Sequence, residues 1–166
     1  MKYEDIMKSL KKREFKPVYF FDGEETHYMD VMTDYIAENV LNEGERDFNQ
    51  TILYGQDAKP EELSTYVKQF PMLAEYRVVI VKEAQNWSRK LDELLPLVDY
   101  PMMSTILVIN YRNKKLKGTT KLAKRIKKIG VHHTGTKLYD NKVVPWITAQ
   151  CRERKVDMDP RAVTLL

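Results

Sequence analysis

At 166 residues, with 43% hydrophobic and 31% charged side chains, the chain has room for one core of ordinary size and the beginning of a second unit, and two complete domains would be cramped. The formal net charge of +4 conceals a polarity: from Asp22 to Glu62 the only lysine or arginine residues are Arg46 and Lys59, whereas no acid stands between Asp99 and Asp140, a pattern that predicts a basic edge facing a partner. A single cysteine, Cys151, excludes an internal disulfide, no apolar run approaches the roughly 18 residues of a membrane span, and MKYEDIMKSLKKREF is too polar for a secretory signal, so the chain reads as a soluble, cytoplasmic protein with no membrane partner.

Tyr3 to Arg13 places Ile6, Met7 and Leu10 at helical spacing, and Pro17 to Phe21 is an apolar, aromatic run of the kind that forms a buried strand. Glu24 to Leu41 is predicted as an amphipathic helix with Tyr28, Val31, Met32, Tyr35, Ile36 and Val40 on one side and Glu24 and Glu25 in its first turn. Phe48 to Tyr54 reads as a second strand, and Pro60 to Phe70 as a helix with Pro60 at its first position and Leu63, Tyr66, Val67 and Phe70 as its buried stripe, stopped by Pro71. The runs VVIV, within Arg77 to Val81, and TILVI, Thr105 to Ile109, are continuous and apolar, as central strands covered on both faces are. Between them Ser88 to Val98 carries Leu91, Leu94 and Leu95 on a helix; Thr119 to Ile129 gives another helix, and Val131 to Thr136 a last strand.

Strands alternating with helices imply an α/β fold: a five-stranded parallel sheet with right-handed crossovers and helices on both faces. After Leu138 the pattern turns to helices alone, with Asp140 or Asn141 as a cap, a helix to about Arg154 through Pro145, Trp146, Ile147 and Ala149, and Asp159 with Pro160 opening another. The expected division is residues 1–138 and 139–166. The apolar ending AVTLL, barely into a helix, is an unusual place for a chain to stop, which leads to the expectation of a helical domain cut short.

PVYFFDGEETHY, Pro17 to Tyr28, begins like a phosphate-binding strand and turn and then departs from it. A phosphate loop, GxxxxGK[ST], needs glycines for close backbone approach, a lysine for the outer phosphates and a hydroxyl for magnesium. After Gly23 this chain has Glu24 and Glu25, which would repel an anion. At the end of the central strand, VVIVKEAQ puts Lys82 where a metal-binding acid would stand, followed by Glu83, and a lysine does not coordinate magnesium. No nucleophile elbow, HExxH or CxxC is present, so no catalytic residue, metal ligand or cofactor is expected. His132 and His133 are neighbours on a strand and point to opposite faces, which assigns them structural roles, while His27 lies beside the emptied turn.

Two further stretches have a functional and an ordinary reading each. YRNKKLKGTTKLAKRIKK, Tyr111 to Lys128, is either a nucleic-acid-facing run, with Arg112, Lys114, Lys115, Lys117 and Lys121 toward DNA, or a solvated helix face over Leu122, Ile126 and Ile129. Met72 and Leu73 follow Pro71 in a short connection where polar residues are the rule. Either they anchor a partner or they fold back and staple the helix end, and the residues taken alone favour the staple.

Taken in order and spacing, PVYFFDGEETHYM, FNQTILYG, QFPMLAEYRVVIVKEAQN, STILVINYRNKKLKGTTKL and NKVVPWITAQCRERKVDMDPRAV resemble the delta-subunit family of bacterial DNA polymerase III clamp loaders, over essentially the whole chain. The resemblance implies an AAA+-like module without ATPase activity, followed by the start of a helical lid and, in the family, a further domain that joins the loader ring. It implies that Met72 and Leu73, with Phe70 sharing the role, enter a pocket of the sliding clamp (beta subunit), which reverses the preference for the staple. Family members can have an aromatic residue at the second position, so Leu73 would fill less of that pocket. The implied partners are the clamp, the gamma/tau and delta prime subunits that handle ATP, and DNA within the assembled loader. Two rivals stand beside this reading: a nucleotide-binding enzyme of P-loop ancestry, and a nucleic-acid-binding module built on residues 112–128.

Overall fold

The computed structural model describes residues 1–136 together with 145, 147, 148, 150–152 and 156. The chain divides into two compact units, Met1–Gly135 and Thr136–Leu166.

The first unit is a five-stranded, wholly parallel sheet in the order β2-β3-β4-β1-β5. Its strands are β1 (Val18–Gly23), β2 (Gln50–Tyr54), β3 (Arg77–Lys82), β4 (Thr105–Arg112) and β5 (Val131–Gly135). Every residue of VVIV and TILVI is buried, because helices cover both faces and leave no polar side to the middle strands. Alternation along β1 divides the core: Val18 and Phe20 join the layer under the later helices, whereas Tyr19 and Phe21 face Ile6, Leu10, Met32 and Ile36. Helix α1 (Tyr3–Lys11) and α2 (His27–Asn39) supply that second layer. Helices α4 (Leu63–Val67), α5 (Leu95–Asp99) and α6 (Lys121–Ile129) supply the first.

Several expectations are corrected. Helix α2 opens at His27, so Glu24 and Glu25 precede it; their amides are held by the carbonyl of Gly135 at the end of β5. Phe48 does not start β2, since Glu43–Asn49 forms an additional helix, α3. Its signal was a capping box: the Asn42 side chain accepts from the Glu45 amide and the Glu45 carboxylate accepts from the Asn42 amide. The Pro60 helix is a 3-10 turn, Pro60–Glu62, followed by α4, which ends at Val67; Phe70 therefore lies beyond it and is 78% exposed instead of buried. Residues 88–98 are not one helix but a 3-10 turn at Leu91–Leu94 and then α5, with Pro96 at the start of α5, the one place a helix tolerates it.

In the second unit, Pro145, Ile147, Thr148, Gln150, Cys151 and Arg152 are helical, and the Val156 amide donates to the Cys151 carbonyl at 2.9 Å. The expected caps at Asp140, Asn141 and Asp159, the residues Trp146 and Ala149, and the ending AVTLL lie outside the described residues. No helix among the described residues is long and apolar enough to cross a membrane.

Candidate functional site

A parallel sheet has two unlike ends, and the functional residues expected from sequence fall on both. At the carboxyl end, β1 lies where the winding reverses, between β4 and β5, which is where α/β sheets bind ligands. Here the turn after β1 is closed by the protein's own backbone. The Gly23 amide donates to the Lys114 carbonyl at 2.8 Å, the Glu24 and Glu25 amides reach the Gly135 carbonyl at 3.1 and 3.5 Å, and the His27 amide donates to the Glu25 carboxylate at 2.9 Å. Amides that a phosphate loop would aim at an anion are thus directed at carbonyl and carboxylate oxygens. Gly23 is needed for this closure: its φ is +116°, and a Cβ there would sit 2.0 Å from the Gly135 carbonyl oxygen.

Beneath the turn, Asp22 is 1% exposed and organises the surrounding loops. Its Oδ2 accepts from the Leu116 amide at 2.7 Å and lies 2.9 Å from His132 Nε2. Burial on its own would raise this carboxyl's pKa; the His132 imidazole, the Thr134 hydroxyl and the Leu116 amide outweigh it and hold Asp22 below its ordinary 3.8. His133 points to the other face, with Nδ1 3.0 Å from the Met1 carbonyl oxygen. Among the described residues no group of histidine, cysteine and carboxylate side chains could hold a metal ion.

The basic segment is only partly free. The Arg112 guanidinium is paired with Asp30, and its amide donates to Gln85 Oε1 at 3.2 Å. Arg125 holds Asp99 with its side chain at 3.0 Å. Lys114, Lys115 and Lys117 are exposed on a loop pinned through Gly23 and Asp22, and Lys121 is exposed at the start of α6. Helix α6 buries Leu122, Ala123 and Ile126 and turns its cations outward, with Thr120 capping the Ala123 amide at 3.2 Å. A cavity of about 270 Å³ opens beside this loop, lined by Arg89, Lys115 and Lys117 and floored by Leu91 and Leu116. Tyr111 also lines it but is 5% exposed, too deep to serve as an open stacking platform.

At the amino end, the loop between α4 and β3 puts Phe70, Met72 and Leu73 in solvent, at 78, 55 and 98% exposure. The staple reading of Met72 and Leu73 is therefore wrong: a side chain that stapled the helix end would be covered. The backbone beneath them is held tightly. Asn49, fully buried at the end of α3, brackets Met72: its Oδ1 accepts from the Met72 amide at 2.6 Å, while its Nδ2 donates to the Met72 carbonyl at 2.9 Å. Arg77, 8% exposed, donates to the Tyr66 carbonyl at 3.0 Å, the Phe48 carbonyl at 3.2 Å and Thr51 Oγ1 at 3.4 Å. Past the tip, Ala74 and Tyr76 pack onto the core, and Phe15 meets the Tyr76 ring edge-on with centroids 5.5 Å apart.

Leu73 has φ +55°, the left-handed region. A non-glycine residue held there costs on the order of 1–2 kcal/mol, so the fixed surroundings impose a shape that leucine would not choose. The result is an apolar tip aimed outward on a backbone fixed by the chain's own hydrogen bonds. The tip is visible in the sequence, whereas Asn49 and Arg77, which fix it, show there only as a polar residue inside an expected strand and a charge opening an otherwise apolar run.

Comparison with known proteins agrees with this architecture. A family model described as DNA polymerase III, delta subunit, matches residues 19–134. The chain is 28% identical over 133 residues to a Bacillus subtilis protein, DNA polymerase III subunit delta, covering 75% of this chain and 38% of that one. The solved structure of the Bacillus subtilis DNA clamp loader delta protein superposes with a TM-score of 0.79 at 23% identity, over 98% of this chain and 51% of that one. A gamma subunit-related protein of DNA polymerase III from Thermotoga maritima has a TM-score of 0.50 at 15% identity, over 92% of this chain and 52% of that one, a likeness of fold alone. The chain thus spans between about a third and a half of the length of these relatives.

Proposed function

We propose, because this chain belongs to the DNA polymerase III delta subunit family, that it is the clamp-loader subunit that binds and opens the sliding clamp (beta subunit) for loading on primed DNA, without hydrolysing ATP itself. Its working surface is Met72 and Leu73, with Phe70 beside them. The observation that carries this reading is the 98% exposure of Leu73 on a loop whose backbone Asn49 holds from both sides. An exposed apolar tip on a rigid support suits a partner's pocket, since little conformational freedom is lost on binding. Burying two such side chains contributes on the order of 3–6 kcal/mol before association costs, enough to bind but not to tear a ring apart. Opening then follows from differential affinity: the subunit fits a distorted clamp protomer better than a relaxed one and shifts the population toward the open ring.

ATP binding and hydrolysis belong, in this reading, to the gamma/tau subunits, with delta prime completing the loader in the cytoplasm. The closed turn at Gly23 supports that division, because its amides already have partners. The test is binding of the full-length protein to the clamp of the same organism by calorimetry. Met72→Ala combined with Leu73→Ala is expected to weaken it at least about 30-fold, consistent with the loss of two buried side chains. Unchanged binding would reject the site.

The cavity lined by Arg89, Lys115 and Lys117 favours a second contact, with the DNA backbone inside the assembled loader. Replacing Lys115 and Lys117 by Ala is expected to reduce the slope of log affinity against log salt by about one per lysine. An unchanged slope in the assembled loader would remove the contact.

A further inference from the structure

The apolar tip has neighbours of its own kind. Segments that enter adjacent parallel strands lie side by side, about 4.8 Å apart per strand, and β2, β3 and β4 are adjacent in that order. The segment entering β2 carries Phe48 at 62% exposure, the loop entering β3 carries Phe70, Met72 and Leu73, and the loop entering β4 carries Tyr100 at 85% and Met103 at 70%. The three segments are bonded to one another. Asn49, next to Phe48, brackets Met72; the Arg77 amide donates to the Ser104 carbonyl, beside Met103, at 2.8 Å; and Thr105 Oγ1 donates to the Val67 carbonyl, three residues before Phe70, at 2.9 Å. These six are the majority of the ten large apolar side chains exposed among the described residues, so the exposure is gathered at one end of the sheet instead of scattered as on an ordinary surface.

The area sets the scale of what covers them. A specific interface takes about 800 Å² from each partner, and a large side chain contributes at most about 150–250 Å². Weighted by their exposure, Met72 and Leu73 alone supply less than half of that, whereas the six together supply roughly all of it. Phenylalanine, tyrosine and methionine are also the types enriched where interfaces are most buried.

We infer that the docking surface is a row across three loops, Phe48 to Met103, and that its occupant is the same sliding-clamp protomer that takes Met72 and Leu73, with Phe48, Tyr100 and Met103 laid on an apolar shelf beside its pocket. The inference rests on the clamp-binding reading above and extends its footprint. Phe48→Ser and Met103→Ser, made singly in the full-length protein and assayed against the clamp of the same organism, are each expected to weaken binding three- to tenfold with the thermal midpoint unchanged. A benzoylphenylalanine photo-crosslinker at position 48 is expected to capture the clamp. Flank variants that bind like wild type while the Met72 and Leu73 double variant does not would overturn the row and leave the proposed function standing. Flanks that matter while the double variant binds normally, or no effect from any variant, would overturn both. Self-association of the free protein that Phe48→Ser abolishes would overturn the row in favour of a second copy of this chain.

Discussion

The two ends of the sheet carry opposite solutions to the same constraint, that loops leaving a parallel sheet expose backbone groups and side chains that need partners. At the carboxyl end the chain satisfies itself: the Gly23, Glu24 and Glu25 amides close on the Lys114 and Gly135 carbonyls, and buried Asp22 ties the basic loop to β5. At the amino end the backbone is equally satisfied, through Asn49 and Arg77, but the side chains are left facing water. The turn where α/β proteins bind small ligands is therefore closed by the chain itself, while apolar side chains stand exposed at the opposite end of the sheet.

This contrast can be broken or sharpened experimentally. The largest effect on stability is expected at the closed end. Asp22→Ala leaves the Leu116 amide and His132 without their acceptor and should cost about 3 kcal/mol in urea unfolding, with clamp affinity unchanged once corrected for the folded fraction. The pH dependence has a definite sign. Because the Asp22 pKa is depressed in the folded protein, its contribution is fully present above its ordinary 3.8 and is lost as pH falls through the lower folded value. Wild type should therefore lose more stability than Asp22→Asn as pH falls below about 4, and parallel acid curves would show that the Asp22 carboxylate contributes nothing.

A middle-sized effect is expected at the open end. Asn49→Ala removes both bonds to Met72 and should destabilise by about 1–3 kcal/mol, while also weakening clamp binding several-fold because the tip is no longer pre-set. Lost stability with wild-type affinity, measured on the same sample, would mean that the bracket is structural only. The smallest effect is expected from nucleotide. Millimolar Mg-ATP should move unfolding stability by less than about 0.3 kcal/mol, whereas a ligand at 100 times its Kd would add about 2.7 kcal/mol. A shift of that size would mean that the closed turn opens.

How much of this was legible in the chain depended on whether the signal was local. VVIV and TILVI announce buried strands because every residue has the same environment, and Lys121–Ile129 announces a helix because its apolar positions repeat at its own pitch. Helix α3 was missed because EGERDFN has a single large apolar residue and no stripe to read; only its cap betrays it. The failure around residues 88–98 has a similar cause, since leucines at helical spacing do not distinguish one long helix from a 3-10 turn leading into a short α-helix. At the apolar tip, Met72 and Leu73 can be located but not oriented from their own residues. What points them outward is bonding across 23 residues, from Asn49 to Met72, and across 29, from Arg77 to Phe48, and no window of sequence contains both partners.

The left-handed backbone at Leu73 has a practical consequence. Any scheme that ranks substitutions by folding free energy alone would favour glycine there, since glycine relaxes the backbone and the leucine side chain contributes almost nothing to the interior. Leu73→Gly would then pass every assay of expression, melting and solubility while removing the most exposed large apolar side chain among the described residues, so thermal screening of this protein would be blind to loss of the proposed contact.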